Sequence, residues 1–252
     1  MGHPVYSLSA PYAIAHRGGA AEGLENAASA FRQAISLGIR CLETDLQVSA
    51  DGVCVISHDP TLDRTTDSVG RITDLTWAQI SRARIGGVEP VLRLEEFLEE
   101  FADVYINLDL KTDALVPAFV RALRNSDHLA RICVGSMRTA RLDHVRAEFG
   151  SALATSLGPR EVARLKFLGR HKTGAGSVVA AQVPERVGRL RLIDPRFMGA
   201  ANDARLQVHV WTVNDPAQMK RLLELGVAGL MTDRPSVALA VIADFISGSK
   251  PH

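Results

Sequence analysis

The sequence predicts an α/β protein of one domain, residues 1–252, built as a closed parallel (β/α)8 barrel, and three observations predict it. Strand-like and helix-like segments alternate along the chain, and the alternation gives about eight β/α units. The polar residues that stand out fall at or near the C-terminal ends of the strands, where such barrels carry their chemistry. At 252 residues with 46 % hydrophobic content the chain can bury a sizeable core.

Each element follows from its own pattern. The apolar run Ile14-Ala15 ends in His16-Arg17-Gly18-Gly19, a buried first strand delivering His16 and Arg17. Ala27, Ala30, Phe31, Ala34, Ile35 and Leu37 recur at helical spacing over 26–37 until Gly38 stops the helix. A strand over 40–47 turns at Ser49-Ala50-Asp51-Gly52 and returns over 53–57 to deliver His58. The polar stretch that follows is a short insertion, about 60–92, with one small helix. Beyond it come a helix over 93–101, a strand over 104–110, a helix over 115–124 and a strand over 131–136. A helix over 139–148, a strand over 152–156, a helix over 159–168 and a strand over 177–181 continue the alternation. Helices over 184–191 and 195–204, a strand over 207–213, a helix over 216–225, a strand over 228–232 and a helix over 235–247 close it.

Composition excludes some partners. Twenty-nine basic and 28 acidic side chains leave a formal charge of +1, which gives no field for nucleic acid or an anionic membrane. Cys41, Cys54 and Cys133 lie in apolar runs without CxxC spacing and read as reduced core residues. Met1 to Pro11 lacks the basic and apolar regions of a signal peptide, and no apolar stretch approaches the roughly 18 residues of a spanning helix. A cytoplasmic protein without stable membrane insertion is expected; a homodimer is compatible with the sequence and not required by it.

The chemistry concentrates on three strand ends. A strand puts residues i and i+2 on one face, so Glu43 and Asp45 point the same way with Thr44 turned behind them. Two hard oxygen ligands suit Mg²⁺ or Ca²⁺ better than zinc. Like charges at that spacing repel and push one pKa upward, so a cation or strong donor is expected beside them; an exposed strand edge with two solvated acids is the alternative. Asn107, Asp109 and Lys111 alternate against Ile106, Leu108 and Leu110, which aims a further acid and base at the same end. His16 and His58 can act as acid or base near neutral pH, and Arg17 offers a guanidinium fork to an anion.

The order His16-Arg17-Gly18, Glu25-Asn26, Glu43-Thr44-Asp45, His58-Asp59, Asp109-Leu110-Lys111, Trp211-Thr212-Val213-Asn214 and Thr232-Asp233-Arg234-Pro235 resembles the glycerophosphodiester phosphodiesterases over roughly residues 12–240. The resemblance implies a TIM barrel that hydrolyses glycerophosphodiesters to glycerol 3-phosphate and an alcohol with one divalent cation. It implies His16 and His58 as the acid/base pair, Glu43, Asp45 and Asp109 as metal ligands with Glu25 close to the metal, and Arg17 and Lys111 on phosphate oxygens. Asp109 stands where the family has a longer glutamate, and Leu24 and Ala27 replace a proline and a threonine, which weakens the cap of the first helix. The short insertion implies a shallower cover that would admit bulkier head groups.

The remaining polar residues have plainer readings. His209 is a packed barrel residue, and His128, His144 and His171 are surface groups. Asp59 either orients His58 or makes the turn before Pro60, and Trp211 either fills the core or walls the site. Asp233 caps the last helix, with Pro235 in its first turn, and Gln182 ends the sixth strand within reach of a substrate. Two alternatives to the diesterase stand: a lysophospholipase D on the same barrel, favoured by exposed apolar residues at the mouth, and a non-catalytic phosphate-binding barrel, whose signature would be loss of a histidine or of the acid pair.

Overall fold

The computed structural model describes residues 7–170 and 177–248. Eight strands form the barrel: β1 (Tyr12–His16), β2 (Cys41–Val48), β3 (Tyr105–Leu110), β4 (Ile132–Gly135), β5 (Ala154–Ser156), β6 (Val178–Pro184), β7 (Gln207–Trp211) and β8 (Gly229–Thr232). Each pairs in parallel with the next, and β1 pairs with both β2 and β8, which closes the cylinder. This is a TIM barrel, as the alternation of elements requires.

Nine helices among the described residues lie between and around the strands: α1 (Ala28–Ser36), α2 (Trp77–Ile80), α3 (Leu94–Glu100), α4 (Leu115–Leu123), α5 (Thr139–Phe149), α6 (Pro159–Leu168), α7 (Pro195–Asp203), α8 (Pro216–Glu224) and α9 (Pro235–Gly248). The period-two alternation of the strands divides the core in two. Outward residues such as Leu42, Leu46, Ile106 and Leu108 pack under the helices with Phe31, Phe97, Phe119 and Phe197. Inward residues at the base of the barrel are Tyr12, Ile14, Cys41, Cys133, Ala154, Ala180 and Met231. All three cysteines are buried and free, as expected, and burial pushes the Cys54 thiol up to about 12.

The register decides what meets at the upper mouth. His16 pairs with Glu43, Glu43 with Asn107, and Asp45 with Asp109. Three strand ends therefore present their polar residues side by side.

Two expectations change in detail. Residues 184–191 form no helix: β6 runs on to Pro184, and Arg186–Val187 pairs antiparallel with Leu190–Arg191 about a turn at Gly188 (φ 56°). The i, i+3 spacing of Val187 and Leu190 fits one helical face, but it equally fits two residues opposite each other across a two-residue turn. The insertion is also more built than a loop with one helix. It holds a 3₁₀ turn (Ile72–Asp74), α2 and a ribbon of Arg84–Ile85 with Glu89–Pro90, closed over Leu62, Ile72, Ile80, Ile85 and Val91. From that ribbon Glu89 accepts the Ser29 backbone N–H (3.0 Å), which serves the start of α1, where Ala27 offers no side-chain cap.

Candidate active site

His16 ends β1, and the chain turns at once through three left-handed residues, Arg17 (φ 53°), Gly18 (φ 82°) and Gly19 (φ 95°). A Cβ on Gly19 would lie 2.8 Å from Pro235 Cγ, so glycine is what lets the turn pass against α9. Left-handed backbone is uncommon in a non-glycine residue. At Arg17 it directs the N–H onto Glu43, whose backbone oxygen accepts at 2.9 Å and whose Oε2 accepts at 3.2 Å.

Glu43 and Asp45 are 4 % and 2 % exposed, so the solvated-edge alternative falls. Burial, and then the charge of Asp45, push the Glu43 carboxyl well above the usual carboxylate range. The Lys111 ammonium lies between two acids, 2.7 Å from Asp45 Oδ1 and 2.8 Å from Asp109 Oδ2. Burial works against that ammonium, and Asp109 and Asp45 more than offset it, so its pKa is raised. Asp45 Oδ2 accepts no hydrogen bond, although Arg17 Nε lies 3.2 Å away. A buried carboxylate oxygen that accepts no hydrogen bond, beside a second desolvated acid, fits a hard divalent cation. Among the described residues no three acid, imidazole or thiol groups gather into a cage, and Lys111 bridges Asp45 and Asp109.

Each of the two imidazoles is held by an aspartate. His16 Nδ1 is 2.6 Å from Asp233 Oδ1, and Asn214 Nδ2 donates to Asp233 Oδ2 at 2.8 Å. Burial would lower the His16 pKa, but Glu43 and Asp233 outweigh it and raise it. His58, delivered by the return strand Cys54–Ile56, has Nδ1 2.7 Å from Asp59 Oδ1. Arg64 Nε donates to Asp59 Oδ2 at 2.5 Å, and that guanidinium, helped by His58, draws the Asp59 carboxyl down to about 2. With Nδ1 engaged by a carboxylate, Nε2 is the ring atom left for proton exchange.

Most of the residues singled out by the sequence open onto one cavity of about 410 Å³: His16, Arg17, Glu43, Asp45, His58, Asp109, Lys111, Gln182 and Trp211. Trp211 is at once wall and core, since it also packs on the apolar base of the barrel. Glu25 lies in a small neighbouring recess, its carboxylate taken by Arg17 and both terminal nitrogens of Arg64. His209 is fully buried against Tyr12, as expected. His144 is exposed and His128 half-buried beside Arg131, while His171 lies outside the described residues.

Asp233 is the main correction. Its carboxylate serves His16 and Asn214, and the N–H of Ser236 in the first turn of α9 is met by Glu22. Asp59 is settled too, as the partner of His58. Arg64 carried no sequence signal, since it sits in no periodic pattern, and Asn214 was visible only as the end of the Trp-Thr-Val-Asn run, without a role. For Asp233 a signal existed: barrel closure puts the eighth strand beside the first, so an acid just past that strand falls next to His16.

Two imidazoles beside cationic and acidic groups are compatible with the chemistry of a phosphoric diester hydrolase. The sequence profile of the Glycerophosphoryl diester phosphodiesterase family matches residues 16–237, and the chain belongs to that family. A Mycobacterium tuberculosis protein described as "Probable glycerophosphodiester phosphodiesterase 2" is 30 % identical over 239 residues, covering 91 % of this chain and 90 % of the relative. The mouse lysophospholipase D GDPD1 is 26 % identical over 264 residues, covering 88 % and 83 %. Among solved structures, an Oleispira antarctica phosphodiesterase bound to sn-glycerol-3-phosphate shares the fold at a TM-score of 0.77 and 22 % identity, covering 93 % of this chain and 97 % of that one.

Proposed function

We propose that this protein hydrolyses glycerophosphodiesters to glycerol 3-phosphate and an alcohol, with His16 and His58 as the acid/base pair. The observation that carries the reading is the matched arrangement of two imidazoles, each fixed through Nδ1 by an aspartate, beside a buried acid pair. One ring takes the proton of the attacking hydroxyl as the new P–O bond forms. The other gives a proton to the departing alcohol oxygen as the old bond breaks. Arg17 and Lys111 bind the non-bridging oxygens, and Trp211 walls the glycerol. Glu25 fixes the Arg17 guanidinium and stands next to the cation site.

Glu43 and Asp45 would hold one divalent cation, Mg²⁺ or Ca²⁺, with Asp109 as the third ligand. When bound, the cation supplies Lewis-acid neutralisation of charge on the phosphate. Asp109 is one methylene shorter than glutamate and gives Oδ2 to Lys111, so its other oxygen would be the one offered to the cation.

His16→Ala and His58→Ala are each expected to lower kcat by at least about 10²-fold with the fold retained, the usual size of an acid/base contribution. Near-normal turnover of glycerophosphocholine in either variant ends that assignment. Exhaustive chelation is expected to abolish turnover and to lower Tm by several degrees, by roughly 2–3 kcal/mol of lost ligand binding. An unchanged Tm and rate would remove the metal.

A second substrate reading has its own support. The side of the cavity away from the histidines is lined by Met137, Leu157, Val162, Phe167, Val187 and Leu190, without a charged residue. That wall suits the acyl chain of a lysophospholipid, as a lysophospholipase D would need, better than a cationic head group. Turnover confined to small diesters would rule it out.

A further inference from the structure

The outer rim of that apolar wall is not an ordinary solvated surface. Phe167 and Leu168 at the end of α6 are 59 % and 63 % exposed, and Val187 and Leu190 on the hairpin after β6 are 58 % and 40 % exposed. The two elements belong to one surface: Lys166 Nζ donates to the Leu192 backbone oxygen (3.0 Å), and an Arg196 nitrogen to that of Phe167 (3.3 Å). Large apolar side chains grouped in this way mark an interaction site rather than random exposure.

The charge on the same rim is predominantly positive, with Asp194 at the start of α7 held by Lys166. Arg186 and Arg191 are direct cross-strand partners, so both project from the face opposite Val187 and Leu190. Like charges so placed repel. The acid nearest them, Glu185, is committed to Arg221 (2.9 Å) and Gln218 (2.7 Å) and lies 4.0 Å from Arg191. Among the described residues Arg186 and Arg189 have no carboxylate partner, and Arg186 donates to the Arg189 backbone oxygen instead; Arg196 shares Asp194 with Lys166, which holds that carboxylate directly. A net charge of +1 for the whole chain conceals this local excess.

We propose that the rim formed by the end of α6, the 186–191 hairpin and the start of α7 docks on an anionic lipid surface. Arginines around exposed apolar side chains are the pattern of a peripheral interface, in which apolar groups enter the acyl boundary and cations meet the head groups. The patch is continuous with the mouth of the catalytic cavity through Phe167, Val187 and Leu190. An acidic protein seated there would cover the mouth, whereas a bilayer would offer amphipathic phosphodiesters to it. No described helix is long and apolar enough to cross a membrane, so the contact is superficial. Only this delivery role rests on the phosphodiesterase reading; the docking itself does not.

The test is co-sedimentation of the full chain with phosphatidylcholine vesicles, with and without phosphatidylglycerol. Binding is expected only with the anionic lipid, weakening as salt is raised. Arg186→Gln/Arg189→Gln should lower the partition roughly 10- to 30-fold, the effect of two surface arginines. Leu168→Ser should lower it more modestly, and the charge-matched Arg32→Gln/Arg124→Gln, on α1 and at the end of α4, should leave it unchanged. Absence of binding to the anionic vesicles, equal binding by the Arg186/Arg189 variant, equal loss in the Arg32/Arg124 variant, or full competition by soluble polyglutamate would each overturn the proposal. Turnover of glycerophosphocholine without vesicles reports on the catalytic reading separately, so either can fail alone.

Discussion

The two halves of the barrel mouth are built on opposite principles. Every charged side chain facing the cavity comes from the segments at the ends of β1, β2 and β3, including the return strand after β2. The C-terminal ends of β4, β5 and β6 and the residues just after them contribute Gly135, Ser136, Met137, Leu157, Val183 and Pro184, with no charge among them. On the first half each ionic group is tied to others: Arg17 to Glu25 and Asp45, Lys111 to Asp45 and Asp109, His58 to Asp59 and Arg64. Desolvated charges are tolerable only when paired, so the chemistry had to be assembled as one connected network. The second half carries no such obligation, and its side chains are free to set the shape that selects a substrate. Asn107 and Gln182 join the halves: both line the cavity, Gln182 Nε2 donates to Asn107 Oδ1 at 2.8 Å, and the buried His209 lies next to Gln182.

This contrast can be broken in three places. The largest effect is expected from Asp233→Asn, which keeps the size of the group but no longer holds the His16 tautomer; kcat should fall about 10- to 100-fold with KM little changed. A change in KM alone would show that Asp233 belongs to binding. At the joint between the halves, burial holds the His209 imidazole down to about 3. Below the ordinary histidine value near 6.5 the unfolded chain therefore binds a proton that the folded chain refuses, and stability falls as pH falls, by about 1.4 kcal/mol per pH unit. Between pH 7.5 and pH 5.0, urea unfolding should show the wild type losing about 2 kcal/mol more than His209→Gln. Equal losses would mean that the buried ring is protonated or hydrated after all. The smallest effect belongs to the apolar half. Leu190→Ser should raise KM for a lysophospholipid several-fold, on the order of 1 kcal/mol of lost burial, and leave glycerophosphocholine unaffected. An equal change for both substrates would erase the division between the halves.

Much of the charged half was legible one strand at a time. Period-two alternation put Glu43 and Asp45 on one face, and the apolar runs stopping at His16 and at Asp109 marked strand ends. Less was legible where a side chain acts across the chain. Asp233 looked like a helix cap because Thr-Asp-Arg-Pro is helix-start chemistry, yet its carboxylate is drawn to His16, 217 positions away. Arg64 lies in a segment without periodicity, and only the folded insertion brings it over both Glu25 and Asp59. The 186–191 segment misled for a different reason, since apolar spacing of three is shared by a helix face and a tight hairpin pair.

By itself the sequence determined the alternation of strands and helices, the inward face of each strand, and which ends bear acids, bases and cations. These follow from backbone periodicity and side-chain polarity, which are local. Tertiary structure alone decided the register that sets Asp45 against Asp109, the closure that sets β8 against β1, and the grouping of arginines with exposed apolar side chains on one rim. Each of those depends on contacts between residues far apart in the chain, and contacts of that kind exist only once the cylinder has closed.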